Sequence, residues 1–220
     1  MKSRDENSPA YDLRAEAREG GEVGVPDRRS GETASGALIA LAALLEKMAG
    51  QAGEWAAQMS GVLVRCYRSG GKVLCCGNGG SATQADHAAA ELAGRFYRNR
   101  KALPALSLSD NVASLTAVAN DLGYETVFSR QIEGLGRPGD VLLAFSTSGE
   151  SPNILEAVKK AREMGLVIIG FTGERGTQFA GQCDHCLIVP TSDSARIQEV
   201  HLAVAHSVCA LTEAALFERR

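Results

Sequence analysis

The chain has 220 residues, 45% of them hydrophobic and 22% charged, with a formal net charge of -3. That composition supports the core of one ordinary domain or two small ones, and it excludes a disordered chain. The slightly acidic balance gives no general attraction to nucleic acid or to anionic membrane, so a phosphate partner has to be held by a local device.

Residues 1–34 mix Arg, Glu, Asp, Gly, Ser and Pro without apolar periodicity, which predicts a disordered N-terminal extension ahead of a domain at 35–220. The first twenty residues lack the apolar core of a secretory signal, and no uninterrupted apolar run reaches the ~18 residues of a membrane span. Both features predict a cytoplasmic protein. From Ala37, ALIALAALLEKMAG and then EWAAQMSGVLVRCYRSG predict two Ala/Leu-rich helices separated near Gly50 and Gly53.

Short apolar runs then alternate with helical stretches. Strands are predicted at 72–77, 103–108, 140–146, 167–172 and 185–190, and helices at 82–96, 114–123, 151–165, 176–183 and 195–217. Alternation of this kind implies a parallel sheet covered on both faces, and strands that are apolar throughout suit it. The expected fold is a three-layer α/β domain with helices preceding it.

Ligands of open parallel sheets bind beyond the carboxyl ends of the strands. The first predicted strand ends in Gly77, Asn78, Gly79, Gly80 and Ser81, directly before a helix. The third ends in Ser146, Thr147, Ser148, Gly149, Glu150, Ser151, Pro152 and Asn153, again before a helix. Hydroxyls and free backbone amides at a helix N-terminus suit a phosphate monoester held by hydrogen bonds and dipole. An ordinary N-cap uses the same residue types. The first loop is neither a G-x-x-x-x-G-K-[ST] P-loop nor a G-x-G-x-x-G fingerprint.

Six cysteines stand at positions 66, 75, 76, 183, 186 and 209. Cys183 and Cys186 form a C-x-x-C, which could be redox-active or half of a zinc site, but no second pair completes such a site. The cysteines read as packing residues. His87 and Glu91 lie one helical turn apart and can share a metal or a proton, or can simply be a surface pair. On the last helix Gln198 and His201 would meet, whereas Gln198 and His206 are separated by ~12 Å of axial rise. Spacing alone therefore favours His201.

The strings GNGGS, DHAAAEL, AND, STSGES and RIQEVHLAVAH occur in this order and resemble the sugar isomerase (SIS) domain, specifically the phosphoheptose isomerase family, over about residues 37–217. The resemblance implies a flavodoxin-like five-stranded parallel sheet, a homotetramer, and conversion of sedoheptulose 7-phosphate to D-glycero-D-manno-heptose 7-phosphate for bacterial heptose synthesis. It implies Zn2+ held by His87, Glu91, Gln198 and His206, with Glu91 and His206 as the proton-transfer pair and His201 outside the ligand set. Substrate contacts are implied for Asn78, Gly79, Gly80 and Ser81, for Asn120 and Asp121, for Ser146, Thr147, Ser148 and Ser151, and for Gln198. Ala195 departs from members that carry Asp there, and Asp193 stands nearby. The rival readings are a non-catalytic SIS tetramer that binds the replication initiator protein and a sugar-phosphate-binding regulator. Retention of the four residues together argues for the enzyme.

Overall fold

The computed structural model describes residues 28–218, with side chains from Thr33 onward. Most of the extension expected at 1–34 lies outside the described residues. Where the sequence predicts two helices, a single helix α1 runs Arg28–Arg68. Gly50 and Gly53 remain inside it, with nothing within 4 Å of an added Cβ at either position. Each glycine there costs only about 1 kcal/mol relative to alanine, which the surrounding Ala and Leu residues outweigh.

The part of α1 up to Ala42 forms one compact unit, and Ala43–Arg220 forms the other. Within the second unit, Met48, Ala52, Ala56, Met59 and Leu63 recur at helical spacing and are buried.

The sheet consists of β1 (Val73–Gly77), β2 (Ala105–Ser107), β3 (Val141–Ser146), β4 (Val167–Gly173) and β5 (His185–Val189). All neighbours are parallel, in the order β2-β1-β3-β4-β5. The intervening helices are α2 (Gly80–Ala93), α3 (Val112–Leu122), α4 (Val127–Leu135), α5 (Pro152–Glu163), the short α6 (Thr177–Ala180) and α7 (Ser194–Phe217). This is the flavodoxin-like order, and the five predicted strands fall where they were expected.

Strands β1 and β3 are buried along their whole length, as a sheet covered on both faces requires. Leu74, Leu142, Ala144 and Ile168 pack on one face with Phe128, Ile132, Ile154 and Val158 of α4 and α5. On the other face Leu143, Ile169 and Phe171 meet Met59 and Leu63 of α1, Ala88 of α2, and Ala205 and Val208 of α7. Helix α4 has no counterpart among the predicted elements. Its nine residues, VFSRQIEGL, include charges and a glycine, yet Val127, Phe128 and Ile132 are buried.

By length and composition, Thr33–Arg68 and Ser194–Phe217 would each suffice to cross a bilayer. Neither is an uninterrupted apolar run; both are alanine-rich helices with scattered charges that are apolar on average. In α7 the apolar residues Ile197, Val200, Val204 and Val208 are buried within the protein.

Candidate active site

The order of the strands locates the site. The chain passes from β1 outward to β2, then crosses to β3 on the other side of β1. A crevice therefore opens between the carboxyl ends of β1 and β3, which pair through Gly77 and Phe145. Both polar loops picked out in the sequence leave the sheet at this point.

In the first loop, α2 starts at Gly80, and the Gln198 amide of α7 lies directly over it. A Cβ at Gly80 would stand 2.7 Å from Gln198 Nε2 and Oε1, so a side chain there would push the Gln198 amide aside. Gln84, a turn further along α2, donates to the Gln198 carbonyl. In the second loop Gly149 has φ +70°, and a Cβ there would lie 2.5 Å from the backbone of Gly176. Ser146 Oγ accepts from Gly149 N–H at 3.1 Å, and Ser148 Oγ accepts from Glu150 N–H at 3.2 Å. Ser151 is the N-cap of α5 by backbone position, but its hydroxyl makes no capping bond.

The two loops are tied together. Asn78 Nδ2 donates to Asn153 Oδ1 and Asn153 Nδ2 donates to Asn78 Oδ1, each at 2.8 Å. Tyr124 Oη adds a donation to Asn78 Oδ1 at 3.1 Å. Asn153 thus serves the loop junction and is buried, a role that its place in a Ser/Asn-rich loop hinted at only weakly.

Helices α2 and α7 pack against each other, and their facing sides carry the titratable groups. His87 Nε2 lies 3.1 Å from Glu91 Oε1 and 3.2 Å from His206 Nε2. The three ligand atoms fall within 4.8 Å of one another. Burial lowers the pKa of His206, the neighbouring His87 lowers it further, and Glu91 opposes the shift. A neutral imidazole is the form that offers a lone pair.

Two facing imidazole nitrogens and a carboxylate oxygen concentrate lone pairs on one point, and a divalent cation satisfies all three. The nitrogen and oxygen donors suit zinc among other ions. Gln198 does not share the cluster's short contacts, because its amide packs over Gly80, nearer the start of α2.

His201, which spacing favoured, is fully buried and points elsewhere. Its Nε2–H donates to the Thr172 carbonyl at 3.2 Å, and burial pulls its pKa down to about 4. Asp193 caps α7 by accepting from Ala195 N–H at 2.9 Å. Asn120 Nδ2 donates to Asp121 Oδ1 at 2.7 Å on the exposed end of α3. Those two side chains bond to each other and join neither loop. Thr147 and Ser148 are half-buried, and Ser81 is buried under the first loop.

The C-x-x-C cysteines are free thiols whose sulfurs meet, and the hydrogen bond to Cys183 together with burial raises the pKa of Cys186. A cavity of about 460 Å³ lies at the amino ends of β3 to β5, lined by Arg65, Cys66, Asp184 and His185, away from the loops.

The SIS domain family model matches residues 39–173. Phosphoheptose isomerase of Rhodospirillum rubrum is 51% identical over 160 residues, which cover 73% of this chain and 85% of the relative. Phosphoheptose isomerase 1 of Campylobacter jejuni is 48% identical over 157 residues, 71% of this chain and 84% of the relative. A solved phosphoheptose isomerase from Neisseria gonorrhoeae superposes with a TM-score of 0.79 at 37% identity, covering 84% of this chain and 98% of that one. The class is therefore that of SIS-domain proteins. Within it, the chain belongs to the phosphoheptose isomerase family.

Proposed function

We propose that the chain is an aldose–ketose isomerase that converts sedoheptulose 7-phosphate to D-glycero-D-manno-heptose 7-phosphate in heptose biosynthesis. The observation that carries this reading is the meeting of His87, Glu91 and His206 where α2 packs on α7. A SIS-domain protein that only bound a partner would have no use for that cluster.

The phosphate sits on the loop Ser146–Ser151, where Ser146, Thr147, Ser148 and Ser151 supply hydroxyls and the start of α5 supplies amides and dipole. Asn78, Gly79, Gly80 and Ser81 hold the sugar hydroxyls, and Asn120 and Asp121 approach from the end of α3. Glu91 takes a proton from C1 of the ketose while His206 gives one to the C2 oxygen, which yields the enediol. Glu91 then returns its proton to C2, and His206 removes the proton on the C1 oxygen. The sum is an isomerisation with no net change of protons.

His87, Glu91 and His206 would hold a divalent ion, zinc by preference, with Gln198 turning to complete the set. Such an ion supplies polarisation of the substrate's carbonyl oxygen. A freely diffusing sugar phosphate as substrate supports a cytoplasmic site of action. Homotetramer formation is supported by the apolar groove lined by Leu45, Met48, Ala49, Ala52, Val200 and Val204 between α1 and α7.

The test is incubation with sedoheptulose 7-phosphate followed by proton NMR. An anomeric aldose signal growing at the expense of the ketose is expected. Its absence with zinc supplied overturns the proposal.

A further inference from the structure

Arg100 and Glu213 form an ion pair at 2.9 Å, with the two side chains 3% and 1% exposed. A pair so far from water is weak evidence for stability by itself, because desolvation offsets most of the attraction. Its partners indicate what it does. The Glu213 carboxylate accepts the backbone N–H groups of Phe96, Tyr97 and Arg98 at 3.0, 2.8 and 2.8 Å. Arg100 donates to the carbonyls of Glu91 at 2.9 Å, Leu92 at 2.8 Å, Gly94 at 3.1 Å and Lys101 at 3.2 Å. The guanidinium thereby caps the carboxyl end of α2, whose last carbonyls have no partners within the helix.

Glu213 lies two turns beyond His206 on the same side of α7. The loop it gathers brings the Phe96 ring to 5.5 Å from the His206 ring. One buried pair therefore binds the end of the helix bearing His87 and Glu91 to the helix bearing His206, and it also seats an aromatic ring on that imidazole.

We infer that Arg100 and Glu213 are positioning residues that fix the separation of Glu91 and His206. The inference rests on the isomerase reading for its kinetic consequence but not for its structural one. Glu213→Gln keeps an acceptor and loses the charge. Arg100→Lys keeps the charge and loses the fork of donors that caps α2. Each is expected to lower kcat by tenfold to about a hundredfold, the scale on which small misplacements act. KM should stay within about threefold, because the phosphate loop is untouched.

The second readout needs neither metal nor turnover. In metal-free protein, proton–carbon NMR of the histidine rings should show the His206 and His87 signals shifted in both variants, while His201 keeps its wild-type position. Should either variant not fold, Phe96→Leu leaves the ion pair intact and tests the seat on His206 by the same spectrum and a several-fold lower kcat. Unmoved His206 and His87 signals in the folded variants, or an unchanged kcat in both, overturn the inference. An inactive wild type overturns the isomerase reading alone, since the ring signals still decide this one.

Discussion

His87 and His206 come from opposite halves of the chain, yet their Nε2 atoms face each other at 3.2 Å with Glu91 beside them. Two imidazole nitrogens at that distance can share only one hydrogen. The contact suits a cation better than it suits two neutral rings, and it gives the most direct tests of the site.

If Glu91 and His206 move the protons, Glu91→Gln and His206→Gln should each cost roughly 10²–10⁴ in turnover, the range for a single acid–base group. Both residues also border the metal position, so each variant has to be assayed with zinc restored and its metal content measured. Near-normal turnover in either folded, metal-loaded variant would remove the pair from the mechanism.

Metal removal should be visible in stability as well as rate. A ligand present at a hundredfold excess over its Kd stabilises the folded state by about 2.7 kcal/mol. Chelated protein should therefore melt several degrees lower, and zinc should restore both the melting temperature and the activity. In Glu91→Gln the zinc-induced rise should shrink. A melting temperature indifferent to zinc in the wild type counts against the site.

If the loop Ser146–Ser151 holds the phosphate, replacing Ser148 or Ser151 by Ala removes a hydrogen bond to a charged group, a loss of about 1.5–3 kcal/mol. Substrate binding should weaken roughly ten- to a hundredfold, with the fold intact. Isothermal titration with the sugar phosphate measures this directly, and equal affinities in wild type and both variants would put the anion elsewhere.

His201 predicts an acid limit to stability. Its folded pKa of about 4 lies below the usual value of 6.5, so between those values the unfolded chain binds the extra proton. Stability is complete above about pH 6.5 and falls as the pH drops toward 4, by about 3 kcal/mol from this residue. His201→Gln should flatten that part of the stability–pH curve in urea titrations. An unaltered slope would mean that other groups set the acid limit.

The five strands were legible because burial on both faces demands continuous apolar runs, and VLCCG and VLLAFS are such runs. Helix α4 was not, because its stripe of Val127, Phe128 and Ile132 is short and interrupted by Ser129, Arg130 and Gln131. Gly50 and Gly53 suggested a break in α1 that the exposed positions do not require. His87 and Glu91 could be paired from helical spacing. His206 could not, since spacing favours His201, and only the packing of α7 on α2 turns His206 toward Glu91. Arg100 and Glu213 carry no local signal because 113 positions separate them.

The reciprocal amide pair between Asn78 and Asn153 has a consequence for descent. Each side chain gives and takes one bond, so the two residues complement each other only as carboxamides. Changing either one to Asp sets a carboxylate against the partner's carbonyl, and changing Asn78 to Leu takes the partner from both amide atoms of the buried Asn153. A lineage can leave this arrangement only by altering both positions in close succession. Among homologues, these two columns should vary together or not at all.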